Sequence, residues 1–359
     1  MKNKKAFSTT LLKWFDNNDR PLPWKGEKNP YYIWLSEIIL QQTRVAQGLP
    51  YFEKFKKHFP TVKDLADASE DTVMKLWEGL GYYSRARNLH TTAKFIAYQL
   101  EGHFPTTHEE ILKLKGVGPY TAAAIASFAY NLPHAVVDGN VYRVLSRVFG
   151  IETPIDTTIG KKEFAKLAQE LLDEQVAGKY NQAIMDFGAT QCVPANPDCT
   201  ICPFQKKCLA FQKEKITLLP IKSKKIKKRE RAFNYLIFKM GEEMLLQKRL
   251  RKDIWQNLYQ FPLIEADKIL SKKALLKHPD FLTISNHQAY EITKISKPFQ
   301  QQLTHQKIIA VFWEISINLD SLVIPSSFLR INQKNIPNFA FPKIIDWYLK
   351  DKTLYLELY

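Results

Sequence analysis

From Phe7 to about Ala210, apolar residues recur at three- and four-residue spacing between proline and glycine stops, in runs such as TLLKWF, YYIWLSEIILQQ, TVMKLW, RNLHTTAKFIAYQL, TAAAIASFAY and KEFAKLAQELL. That period lays an apolar stripe along an α-helix, so this half is predicted to be nearly all α. From Thr217 to Arg231 the period vanishes, and TLLPIKSKKIKKRER gathers Lys222, Lys224, Lys225, Lys227, Lys228, Arg229 and Arg231. The stretch reads as an interdomain linker, either a solvated tether or a strap along phosphates. Beyond Ala232 the rhythm becomes short alternating or β-rich runs, FNYLIFKM, EMLLQKRL and KIIAVFWEISI, separated by helical stretches. An α+β module follows from that mixture. The expected organisation is therefore a helical domain over residues 1–216, a basic linker over 217–231 and a mixed domain over 232–359.

Length agrees with two cores, since 359 residues exceed one average domain and 45% hydrophobic content is enough to fill both. A formal charge of +16 and a pI near 9.4 indicate an anionic partner. A surface this basic releases counterions on a phosphate backbone, which favours nucleic acid. A membrane partner is disfavoured because no apolar run approaches the roughly 20 residues a bilayer span needs. The start, MKNKKAFSTTLLKWFDNNDR, is basic but has no uninterrupted apolar core or small-residue cleavage site. A reducing cytoplasmic location, associated with the nucleoid, is the expectation, and nothing in the chain requires more than a monomer.

All four cysteines, Cys192, Cys199, Cys202 and Cys208, fall in one loop with the spacing C-x6-C-x2-C-x5-C. Four thiolates from one compact loop can wrap a small metal core, with Pro194, Asn196, Pro197, Asp198 and Pro203 supplying the turns. Two disulfides would need an oxidising compartment, and ordinary buried cysteines would not gather in one loop. Spacing alone leaves zinc and iron-sulfur both open.

Four further segments carry chemistry. In LKLKGVGPYTAAAI, Gly116 and Gly118 sit between two helical runs, so backbone amides can approach a phosphate at the second helix's start, the helix-hairpin-helix form of DNA contact. In WEGLGYYSRARNLH, Tyr82 and Tyr83 adjoin a glycine turn and two arginines, suited to wedging a base stack, with one tyrosine expected to face outward. In WLSEIILQQTR, Glu37 lies among Ile33, Trp34, Ile38 and Leu40, where desolvation would raise its pKa toward a value useful for donating a proton. Gln41 and Gln42 follow with paired donors and acceptors suited to base edges. In AVVDGNVYRVLSR, Asp138 precedes an amphipathic helix and reads both as its N-cap and as an anion facing a cationic transition state.

As an ordered set, WLSEIILQQT, GLGYYSRARNL, LKGVGPYTAAAI, VVDGNVYRVL, NQAIMDFGA and the cysteine loop resemble the MutY family of adenine DNA glycosylases, in the helix-hairpin-helix superfamily. The resemblance covers about the first 210 residues. It implies a multidomain chain: an all-α helix-hairpin-helix glycosylase domain with an iron-sulfur loop, and an α+β, Nudix-like C-terminal domain. It further implies a 4Fe-4S cluster on the four cysteines, and double-stranded DNA containing 8-oxoguanine:adenine or guanine:adenine mispairs as substrate. By the same resemblance Glu37 is the acid that protonates the flipped adenine and Asp138 the carboxylate that stabilises the sugar cation. Gln42 and Tyr82 wedge the duplex, Asn140 lies beside Asp138, and Gln182 sits in the pocket. Tyr120 stands where endonuclease III-like relatives carry the lysine that forms a Schiff base, which implies a monofunctional enzyme. The family's Phe-Ser-His lesion-reading loop is matched by Leu303-Thr304-His305, so Thr304 and His305 keep a hydroxyl and a ring donor while the aromatic is lost. Between Ala232 and Tyr359 no glycine-led REx2EEx-type cluster appears to hold magnesium, which argues against nucleotide hydrolysis. Two other readings stand beside this one: a bifunctional glycosylase-lyase for oxidised pyrimidines, and a DNA-binding iron-sulfur protein or redox sensor without catalysis.

Overall fold

A computed structural model describes residues 4–18, 20–223, 228–285, 289–317 and 326–351. Lys224, Lys225 and Lys227 of the basic run lie outside the described residues. The chain divides into two compact units, Met1–Asp67 with Asn88–Lys225, and Ala68–Arg87 with Ile226–Tyr359.

The helices up to the end of the cysteine loop are α1 (Lys4–Asp16), α2 (Pro30–Leu40), α3 (Val45–His58), α4 (Val62–Asp67), α5 (Glu70–Leu76), α6 (Ser84–Gln99), α7 (His108–Lys113), α8 (Pro119–Tyr130), α9 (Gly139–Phe149), α10 (Thr158–Leu171), α11 (Ala177–Asp186) and α12 (Leu209–Gln212). Their starts follow from local chemistry. Asn29 accepts from the Tyr31 amide (3.0 Å) with Pro30 at the first helical position of α2; α8 also begins on a proline, Pro119, behind Gly118, which makes no side-chain cap bond. Between α11 and the cysteine loop, Phe187–Gln191 forms one turn of π-helix, a local widening often found at functional sites. Helix α2 packs on α8, and α8 on α11. The core of the first unit runs from Phe7 and Leu11 through Ala124, Val144 and Leu145 to Phe187 and Phe204.

The second unit is built on a mixed sheet of eight strands among the described residues. Its strands are β1 (Arg229–Met240), β2 (Glu243–Lys248), β3 (Tyr259–Gln260), β4 (Leu263–Ala266), β5 (Tyr290–Ile295), β6 (Phe299–Gln302), β7 (Gln306–Ile317) and β8 (Phe328–Asn332). β1 and β7 run parallel at the centre, with Leu236 opposite Trp313, and the other pairings are antiparallel. The short helices α13 (Lys272–Leu276), α14 (Pro279–Ser285) and α15 (Lys343–Leu349) complete the unit. Leu236, Phe238, Leu275, Phe281 and Trp313 form the core of this unit.

Residues 68–87, inside the stretch expected as helical domain, belong to this sheet unit. Polar contacts explain the attachment: Asp71 accepts from Tyr259 Oη (2.9 Å) and pairs with Lys248 (2.6 Å), and Glu78 accepts from the Phe341 amide (2.7 Å). The basic run also departs from a solvated tether at both ends. Leu219 is buried, its carbonyl accepts from Arg147 Nε (3.1 Å), and Ile221 O accepts from the Ile155 amide (3.0 Å). Arg229 to Arg231 are strand residues of β1, and Arg231 is buried between Asp253 and Glu265. No helix among the described residues is long and apolar enough to cross a membrane.

Candidate active site

Glu37 lies in the last turn of α2, only 6% exposed and flanked by buried Ile33, Trp34 and Ile38. The Tyr120 hydroxyl, from the first turn of α8, donates to Glu37 Oε2 at 2.7 Å. Burial pushes the Glu37 carboxyl up to about 7, against the lowering effect of that hydrogen bond and with a further push from the charge of Asp138. Burial and the same two carboxylates raise Tyr120 well above the ordinary tyrosine range, so it stays a hydrogen-bond donor. A cavity of about 300 Å³ opens beside Glu37, lined by Phe15, Trp24, Lys28, Phe128 and Gln182 among others, at the lower end of small-ligand pocket volumes.

Asp138 is the N-cap of α9 and accepts from the Val141 amide (2.8 Å) and from Asn140 Nδ2 (2.8 Å). Burial raises its pKa, and the hydrogen bonds it accepts pull the other way. Arg143, one turn further along α9, donates from Nη2 to Asn140 Oδ1 (2.7 Å) and to Gly188 O (2.7 Å), and from Nε to Cys192 O (2.8 Å). Gly188 is needed there because a Cβ would come within 2.7 Å of Asn140 Cβ. Arg143 was not singled out in the sequence, although its place three residues after Asn140 on one helix face was a usable signal. Trp24, Lys25 and Lys28 were missed as well, since they come from an aperiodic turn-rich stretch between α1 and α2.

The remaining expected residues divide by unit. Gln41 caps the C-terminus of α2 and donates from Nε2 to Thr121 Oγ1 (3.1 Å), which holds it against α8. Gln42 is exposed with φ +54°, a left-handed backbone that non-glycine residues seldom adopt. Gln182, on the cavity wall, donates to Asp186 Oδ1 (3.1 Å). Gly116 has φ +82°, and a Cβ would meet Asn88 Cβ at 2.7 Å, so the turn between α7 and α8 requires glycine. Gly118 is the N-cap residue of α8. In the sheet unit Tyr82 is exposed with φ +48° while Tyr83 is buried. Tyr82 Oη lies 2.5 Å from Thr304 Oγ1, and Thr304 and His305 are exposed on the turn between β6 and β7.

Cys192, Cys199, Cys202 and Cys208 are free thiols lining one small cavity walled by Val148, Phe187 and Phe204. Arg147 fastens the loop through Nη1 to Val193 O (2.7 Å) and Nη2 to Pro194 O (2.8 Å), with Nη1 3.5 Å from Cys192 Sγ. Burial raises Cys199, Cys202 and Cys208, Cys202 to about 11, so each stays protonated unless a metal takes the proton's place. Among the described residues no three His, Cys, Asp or Glu side chains close on a single ion. A core of several metal and sulfide atoms holds its thiolates further apart than one ion does, and four thiols gathered on one loop suit that donor set.

The family model for HhH-GPD superfamily base excision DNA repair proteins matches residues 35–173. An adenine DNA glycosylase of Buchnera aphidicola subsp. Baizongia pistaciae (strain Bp) is 38% identical over 302 residues, covering 82% of this chain and 85% of the relative. The adenine DNA glycosylase of Homo sapiens is 43% identical over 217 residues, covering 58% of this chain and 40% of the relative. A thermostable thymine-DNA glycosylase superposes with TM-score 0.55 at 30% identity, over 59% of this chain and 98% of its own. An endonuclease III of a non-covalent DNA complex shares the fold at TM-score 0.52 and 22% identity, over 60% and 99% of the two chains. With a helical base-excision domain and a C-terminal mixed-sheet domain on one chain, and 38% identity spread over 85% of a curated relative, the protein belongs to the adenine DNA glycosylase family of base excision repair enzymes.

Proposed function

We propose that this glycosylase hydrolyses the N-glycosidic bond of adenine mispaired with 8-oxoguanine in double-stranded DNA, and of adenine opposite guanine less well, without cutting the strand. The observation that carries the chemistry is the buried Glu37 carboxyl, with a pKa near 7 and the Tyr120 hydroxyl on it, at the wall of a cavity of about 300 Å³. Adenine flips out of the stack into that cavity, which costs least at a mispair. Glu37 gives its proton to a ring nitrogen, the glycosidic electron pair leaves with the base, and the sugar is left cationic. Asp138, held by Val141 and Asn140, lowers the energy of that cation, and water adds to the sugar carbon and returns a proton to solvent.

The absence of a strand-cutting step is supported by the amines nearest the chemistry. Tyr120 supplies no nitrogen nucleophile, and the three lysines lining the cavity are all engaged: Lys25 with Asp186 (3.6 Å), Lys28 with Phe128 O (2.9 Å) and Lys179 with Asp16 (2.6 Å). The hairpin at Gly116 and Gly118 supplies amides for phosphate, and Gln42 and Tyr82 supply the wedge. We assign the glycosidic chemistry to residues 1–216 and reading of the opposite base to a Nudix-like domain over 232–359, through Thr304 and His305. Cys192, Cys199, Cys202 and Cys208 would hold a 4Fe-4S cluster, which when bound supplies a one-electron couple and ties the loop into one rigid piece. A nucleoid-associated cytoplasmic location suits this role.

The test is single-turnover excision on duplexes with adenine opposite 8-oxoguanine, guanine or thymine, each with and without later alkali. Cleavage that needs alkali and is fastest for the 8-oxoguanine pair is expected; nicking without alkali would move the chain to the lyase class. Cys199→Ser is expected to bleach the visible charge-transfer absorption of the purified protein and to weaken duplex binding. A colourless wild-type protein holding zinc after anaerobic purification would reject the cluster.

A further inference from the structure

Arg231 reads in the sequence as one of the linker charges, yet in the fold it is a buried cation of the sheet unit. Its Nε and Nη2 meet Glu265 (2.6 and 2.7 Å), Nη1 and Nη2 meet Asp253 (2.9 and 2.6 Å), and Nη1 also meets Gln306 Oε1 (3.1 Å). A guanidinium has five N–H donors in a fixed fork, and these five bonds use all of them. Arg231 is 7% exposed and lies over the Phe233 ring at 5.0 Å. Asp253 is shared with Arg249, which also binds Gln260 Oε1 (2.7 Å) and Ile254 O (3.2 Å).

Two partners of Arg231, Asp253 and Gln306, border a cavity of about 390 Å³, whose wall also includes Tyr82, Trp255, Thr304 and His305. Nη1 and Nη2 hold the loop that carries Asp253, and the second N–H of Nη1 holds Gln306, whose carbonyl closes the 303–306 turn by accepting from the Leu303 amide (2.8 Å). The cavity rim is also where left-handed backbone collects, with φ +48° at Tyr82 and +60° at Trp255. Such conformations persist only where surrounding contacts over-determine them.

We infer that Arg231 is a positioning residue for recognition of the base opposite the adenine, fixing the Thr304-His305 turn relative to the 253–255 loop so that the cavity between them keeps its shape. The inference rests on the reading that this turn faces that base, and deepens it by naming what sets its geometry. Lysine keeps the charge at 231 but cannot form the fork, and Gln306→Leu cuts only the arm to the turn while leaving both carboxylate pairs.

The full-length protein is assayed by single-turnover excision opposite 8-oxoguanine and opposite guanine, and the ratio of the two rates is read. Arg231→Lys and Gln306→Leu are each expected to lower that ratio about tenfold, the scale of one lost charge-assisted hydrogen bond. The double replacement of Thr304 and His305 by alanine is expected to lower it at least as far, and adding Arg231→Lys to it should change nothing more. If the alanine pair lowers the ratio and neither Arg231→Lys nor Gln306→Leu does, or if these lower both rates equally, the positioning role is wrong. If the alanine pair itself leaves the ratio unchanged, the reading of the turn has failed. Should Arg231→Lys not fold, Gln306→Leu decides.

Discussion

Glu37→Gln is expected to lower single-turnover excision by roughly a hundred- to ten-thousand-fold, the range general acid catalysis contributes, while duplex binding changes little. Glutamine keeps the shape and can still accept from Tyr120 Oη, so the hydrogen bond at 2.7 Å and the fit of α2 on α8 survive. Only the transferable proton is lost. The wild-type rate should fall as pH rises through about 7, where Glu37 gives up that proton, and the variant should lose this limb. Stability gives an independent sign. The carboxyl is neutral in the fold up to about 7 but ionises near its ordinary value of 4.5 in the unfolded chain. Its protonated form therefore favours folding fully below about 4.5, and that contribution, of order 3 kcal/mol, is lost as pH rises to about 7. Glu37→Gln should accordingly unfold at a higher temperature than the wild type at pH 8, with the gap closing toward pH 5. Normal excision in the variant would remove Glu37 from the acid role.

How much of this was visible beforehand depended on how far apart in sequence the determining contacts lie. The helical half, the mixed module after Ala232 and the cap at Asp138 are set by short-range patterns, and each was legible. The desolvation of Glu37 was legible too, because Ile33, Trp34 and Ile38 share its helix. The Tyr120 hydroxyl that meets it comes from 83 residues away, and no local pattern encodes that meeting. Arg231 failed for the same reason: among six other basic residues it reads as linker charge, and only folding brings Asp253 and Glu265 to it. Residues 68–87 read as part of the helical half with a wedge at Tyr82 and Tyr83, yet Asp71 and Glu78 also find partners beyond residue 245. Cavity residues Trp24 and Lys28 were invisible because a turn-rich segment has no periodicity from which to infer facing.

Asp138→Asn separates two roles that one carboxylate holds at once. Asparagine caps a helix as well as aspartate does, so the bond from the Val141 amide and the start of α9 should survive. The cost to stability comes on the other side, where Asn140 Nδ2 now faces an amide and cannot simply turn over, because its Oδ1 is held by Arg143. That mismatch costs on the order of 1 kcal/mol. Excision should fall much further, by about a hundred- to a thousand-fold, if the anion stabilises the sugar cation. A fall no larger than the stability loss explains would leave Asp138 as a cap alone. The residual activity carries a second signature. The charge of Asp138 is one cause holding the Glu37 pKa up, so removing it should move the alkaline limb of the rate profile to lower pH. The acid limb of the wild type, set by Asp138 at a pKa raised by burial above the ordinary aspartate value, should disappear. A profile that keeps both limbs would mean that the two carboxylates do not share one reaction centre.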